Sequence, residues 1–178
     1  MSRFRQRRYA AAPPPPPPAF HLPIVDTKVW GPRLWTVLHV ASVAVPCDSI
    51  WPRLVEELKM GLPCPDCTNH YTAWANAQPV SATTDMSAWF LALHNDVNRR
   101  IGSASRTGWT CEALMVAYAG QLGAGRVALD ALRSMIGASV WTTLDAILKA
   151  AAAPVVSEAP VVTEMPVVTA VSEEVVGI

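Results

Sequence analysis

From about Pro23 to Ala150 the apolar residues of this chain recur at helical spacing, and no strictly alternating run is long enough to demand a strand. The pattern predicts an all-α fold. A first helix opens at Gly31-Pro32, carries Leu34, Trp35, Leu38 and Val45 on every side, and stops at Pro46, which implies deep burial. A second follows Asp48-Ser49, keeps Pro52 in its first turn and aligns Trp51, Leu54, Val55 and Leu58 before Gly61. A third starts at Cys64-Pro65 and passes through Tyr71 and Trp74. A fourth, capped near Asp85, buries Trp89, Phe90, Leu93, Val97 and Ile101. Cys111 opens a short fifth helix. Beyond Gly125 two amphipathic segments follow, one with Val127, Leu129, Leu132 and Met135, the other with Trp141, Leu144 and Ile147, and read as an added helical flap.

Both ends of the chain break this pattern. Pro13 to Pro18 reads as an extended polyproline spacer behind a basic arm. From Ala153 a hexapeptide recurs, Ala-Pro-Val-Val-Ser-Glu and its variants, whose proline in every unit forbids helix. The expected organisation is a disordered arm over 1–22, a folded domain over 23–120, a helical extension over 121–150 and a disordered low-complexity tail over 151–178.

Composition narrows the function. With 178 residues, 51% of them apolar, one ordinary core is well supplied. Four of the 14 basic residues are the arginines at 3, 5, 7 and 8, and four of the 14 acidic ones fall at 158, 164, 173 and 174, so the middle is balanced. A balanced middle offers no basic stripe for nucleic acid. Charged residues or prolines interrupt every apolar run before it could span a bilayer, so the chain reads as soluble. The arginine-rich start lacks acids, as mitochondrial presequences do, but the proline run would stop an amphipathic helix there.

Four cysteines are too few for a disulfide scaffold, and two of them form Cys64-Pro65-Asp66-Cys67 at a predicted helix start. That spacing lets two sulfurs meet one turn apart as an exchangeable disulfide, and the free N–H groups of the helix start favour a thiolate. The same motif can serve zinc. Cys64, Cys67 and His70 would then need a fourth ligand from Cys47, His94 or Cys111, and no second CxxC supplies it. A thioredoxin fold would need strands, and c-type haem attachment would need histidine where Thr68 stands. In the fourth helix, His94, Asn95 and Asn98 share one sector, which suggests either a bound ligand or a solvated polar face. Trp30, Trp35 and His39 form a third cluster, suited to a planar ring or simply to the core.

Taken together, the Trp30-Gly31-x-x-x-Trp35-x-x-Leu38-His39 string, Leu62-Pro63-Cys64-x-x-Cys67 followed by His70-Tyr71, Trp89, His94-Asn95-x-Val97-Asn98 and Trp109 resemble the Erv/ALR family of FAD-linked sulfhydryl oxidases. The resemblance covers residues 30 to 118 and is strongest to the compact enzymes of large cytoplasmic DNA viruses. It implies a four-helix bundle with a short fifth helix, holding FAD between the helices. Cys64 would be the outer sulfur attacked by substrate thiolate and Cys67 the inner one facing the flavin. Trp30, Gly31, Trp35, His39, Tyr71, Leu91, His94, Asn95, Val97, Asn98 and Trp109 would form the FAD site. Electrons would pass from protein dithiols to O2, giving H2O2. It further implies a homodimer through the first helices, and a cytoplasmic location, in the host cytoplasm or the virion.

The pattern is not complete. Leu91 stands where many relatives have a cysteine bonded to the fifth helix, which leaves Cys111 without that partner; Cys47 is extra, and both are expected to be free and buried. A second, mobile cysteine pair is also missing, so substrate, expected to be a thioredoxin-like carrier, would meet Cys64 directly.

Overall fold

The computed structural model describes residues 22–103 and 108–153, and among these it contains helices and no strand. They are α1 (Thr27–Ala44), α2 (Trp51–Gly61), α3 (Pro65–Ala77), α4 (Met86–Arg100), α5 (Cys111–Tyr118), α6 (Leu122–Leu132) and α7 (Ala138–Ala152). The all-α expectation holds; the arm and the tail lie outside the described residues.

Most helix starts fall where local chemistry put them. The Asp85 carboxylate accepts from the backbone N–H groups of Ser87 and Ala88, and Thr110 caps α5 through Ala113 N–H. Helix α1 departs from expectation by beginning before Gly31-Pro32. The Asp26 side chain accepts from Lys28 N–H and its carbonyl from Val29 N–H, so the first turn closes early, and Pro32 sits inside the helix. The hydrogen bond lost at Pro32 is offset by Trp30, buried and held by its Nε1–H on the Val25 carbonyl, 3.2 Å away.

One apolar cluster unites Leu34, Leu38 and Val40 of α1, Trp51 and Leu58 of α2, Phe90 and Leu93 of α4, and Leu129, Leu132, Leu144 and Ile147 of the C-terminal pair. The expected flap is therefore a wall of the core. Helix α6 packs along α1, while α7 covers α2 and part of α1. Nor does α6 start beyond Gly125. That glycine lies within the helix, where a Cβ would meet Val40 Cγ1 at 2.8 Å, so its missing side chain lets α6 close on α1. A second close approach joins Gly137, which precedes α7, to the end of α2: its N–H donates to the Gly61 carbonyl at 2.9 Å, and a Cβ on it would lie 2.9 Å from Gly61 Cα. Thr143 Oγ1 donates to Glu57 at 2.6 Å, and Arg126 and Lys149 each hold the buried Asp145 at 2.7 Å.

Candidate active site

Pro65 occupies the first turn of α3, where its missing N–H costs nothing, and Cys64 takes the N-cap position. Cys64 and Cys67 are joined as a disulfide, both half-buried, and the Cys64 sulfur also accepts the Cys67 N–H at 3.2 Å. The redox pair thus sits on the positive end of a helix, where a thiolate is favoured once the bond opens. Val25 N–H donates to the Pro63 carbonyl at 3.2 Å and ties the segment before α1 to the lead-in.

Across the bundle, α1 and α4 bring His94 together with His39, 55 positions away, and with Trp35 one turn earlier. The Trp35 and His94 rings stack nearly parallel, 4.0 Å between centroids, and His39 stacks on both. The two histidines share a 2.9 Å hydrogen bond between His39 Nε2 and His94 Nδ1. Burial, with the neighbouring His94 charge second, lowers the His39 pKa to about 3; burial lowers that of His94 to about 4. At neutral pH both rings are uncharged. His39 Nδ1 is buried and has no hydrogen-bond partner. Tyr118 of α5 packs on His39, and Trp109, half-exposed, leans on Tyr118 while its carbonyl accepts from Asn95 Nδ2 at 3.3 Å.

Other anticipated residues stand apart from this cluster. Trp30 and Leu91 are buried, and the space beside Gly31 is open. Tyr71 is buried with its hydroxyl donating to the Val55 carbonyl at 3.1 Å, and its ring meets Trp89 edge-on. Asn98 is buried; Val97 packs against the core. Tyr118 was missed from sequence, although its position on the short helix after Trp109 is a signal that could have flagged it. Cys47 and Cys111 are free, as expected, but exposed rather than buried. Cys47 follows the helix-ending Pro46 in a loop, and Cys111 opens a helix of which only Leu114 is buried.

The residues fit a flat, polar-edged cofactor on one observation: parallel neutral rings surround a buried ring nitrogen that the protein itself leaves unpaired. Two surface clefts, of about 260 and 230 Å3, are lined by none of these residues. Among the described residues no group of three or more His, Cys, Asp or Glu side chains is placed to hold a metal ion, which leaves the zinc reading without its ligand set.

An all-helical domain with a disulfide at a helix start and an aromatic–histidine stack is that of a thiol–disulfide redox protein. Residues 32–117 match the model of the Erv1 / Alr family. An FAD-linked sulfhydryl oxidase of African swine fever virus is 28% identical over 80 residues, covering 40% of this chain and 67% of the viral protein. A putative FAD-linked sulfhydryl oxidase of Invertebrate iridescent virus 6 is 28% identical over 93 residues, 44% of this chain and 84% of that protein. No solved structure matches the chain significantly.

Proposed function

We propose that this protein is an FAD-dependent sulfhydryl oxidase that forms disulfides in protein substrates. The observation that carries the reading is the Cys64–Cys67 disulfide on the N-terminus of α3 inside an Erv1 / Alr domain. A substrate thiolate attacks Cys64, the Cys64–Cys67 bond breaks, and Cys67 leaves as thiolate; a second substrate thiol then displaces Cys64, so the substrate loses two electrons and the pair gains them. Bound FAD would supply the two-electron link from the reduced Cys64–Cys67 pair to O2, with H2O2 as the product. Trp35, His39 and His94 would hold its aromatic part, with Asn95, Val97, Asn98 and Trp109 alongside and Trp30, Gly31, Tyr71 and Leu91 supporting. The catalytic unit of this reading is residues 23–120, with 121–150 as its extension.

The remaining cysteines, Cys47 and Cys111, are single and exposed, which supports direct delivery of substrate to Cys64 by a thioredoxin-like carrier. No helix among the described residues is long and apolar enough to cross a membrane. The viral relatives favour a place in the host cytoplasm or the virion. A homodimer through the first helices belongs to this proposal, although α6 and α7 already cover much of the apolar α1 within one chain.

The test is purification of the full chain. A yellow protein with a flavin spectrum and thiol-dependent oxygen uptake producing peroxide is the expected result. A colourless protein that releases zinc on acidification would overturn the proposal. Cys67→Ser, which leaves Cys64 free to hold a partner, should trap the carrier as a mixed disulfide.

A further inference from the structure

His70 lies on α3 one turn beyond Cys67, so the two side chains share a helix face with Cβ atoms about 5–6 Å apart. Its Nε2 is 2.9 Å from Asp96 Oδ2 on α4, and the other Asp96 oxygen accepts from Arg99 at 3.1 Å. A carboxylate against Nε2 holds the proton on that nitrogen and fixes how the ring is turned on α3. We propose that His70, held from behind by Asp96, is the group that meets the negative charge appearing on Cys67 when the Cys64–Cys67 bond opens. Asp96 is then a positioning residue that also carries α3 against α4.

The two sulfurs need different help. Cys64 is the N-cap, and the backbone N–H of Cys67 already points at its sulfur. Cys67 lies inside the helix, where its own N–H is turned toward Cys64 and away from its side chain. Asp66, exposed between the cysteines, puts a negative charge beside whichever sulfur ionises, so a nearby cation has something to oppose. The other charged groups around α3 are committed elsewhere. Lys59 of α2 is tied to Glu56 at 2.7 Å and to Asn76 at 2.9 Å, near the far end of α3. Arg99 is paired with Asp96. On α1 and α4, His39 and His94 are held neutral by burial. Among the described residues, His70 is the remaining histidine, and it is the one with a carboxylate on its ring.

The proposal rests on Cys64–Cys67 being a working redox pair, and its test reads Cys67 alone, without oxygen or flavin. In the full chain carrying Cys47→Ser, Cys64→Ser and Cys111→Ser, alkylation of the single thiol by iodoacetamide is followed against pH. The expected midpoint lies below that of a free thiol. His70→Gln should raise it by about one pH unit and slow alkylation at neutral pH by about three- to tenfold, as the thiolate fraction falls. Asp96→Asn should move it the same way by less. His70→Lys, which supplies a hydrogen-bond donor and a positive charge without the ring, should bring it back toward the parent. Coincident midpoints in all four proteins, or a His70→Lys variant that behaves as His70→Gln does, would overturn the assignment. Absence of thiol-dependent oxygen uptake in the native protein would instead sink the oxidase reading, whatever these midpoints do.

Discussion

Helix α1 is used in two opposite ways. Toward α4 and α5 it presents Trp35 and His39 to a stack of neutral rings, and a ring nitrogen is left buried without a partner. Toward α6 and α7 it presents Val40 and its apolar neighbours to a wall where the buried polar groups are matched, Thr143 by Glu57 and Asp145 by Arg126 and Lys149. Buried polar atoms with no partner, His39 Nδ1, Thr68 Oγ1 and Trp74 Nε1, all belong to α1 and α3 among the described residues. An unmet buried donor or acceptor costs on the order of 1–3 kcal/mol. The contrast separates the work: the C-terminal wall matches its buried polar groups, while the redox side leaves buried polar atoms unmet, as a ligand site would.

The largest effect that could break this division is at the disulfide. Cys67→Ala should reduce thiol-dependent oxygen uptake to background while the protein keeps its fold and its flavin; wild-type turnover in that variant would end the electron path assigned here. Next comes the wall. Leu132 is fully buried, and Leu132→Ala should cost about 2–5 kcal/mol, read as a lowered urea midpoint, with turnover per folded molecule unchanged at low temperature. Gly137→Ala should cost about 1–3 kcal/mol, since its Cβ would press on the Gly61 backbone, which cannot swing aside as a side-chain tip can.

The smallest effect is titratable and belongs to the other side. His39 and His94 refuse protons in the folded state down to about pH 3 and 4, whereas in the unfolded chain they accept them near 6.5. The unfolded state therefore binds more protons in acid, and stability should fall as pH drops from about 6.5 toward 4, by up to about 1.4 kcal/mol per pH unit for each ring. Urea midpoints measured across this range check the sign, and His94→Gln should flatten the slope.

Helical spacing and caps made most of this legible. Asp85, Cys64-Pro65 and Thr110-Cys111 mark helix starts by local hydrogen bonding, and the structure agrees at each. Proline misled at α1, because a residue that favours the first turn was tolerated within the helix once Asp26 and Trp30 had fixed an earlier beginning. Gly125 misled for the complementary reason: it reads as a break along the chain, yet it answers to Val40, a neighbour remote in sequence. At the site, the pairing of Trp35 with His94 and the reach of His70 to Asp96 join separate helices, and periodicity within one helix carries no information about what faces it. Exposure of Cys47 and Cys111 was hidden likewise, since cysteine's usual preference for the interior says nothing of a loop after a proline or a short outer helix.

The contact between Gly137 and Gly61 lies three residues ahead of Cys64, so the wall is fastened next to the lead-in of the disulfide. That single amide is a reporter. Its proton is sheltered only while α7 is seated against the end of α2, and its exchange with deuterated solvent can be followed in the same sample in which the cysteine pair is oxidised and reduced. A rate that stays constant between the two states would mean that the scaffold is indifferent to the chemistry it carries, and a rate that changes would make the far helices a gauge of redox state.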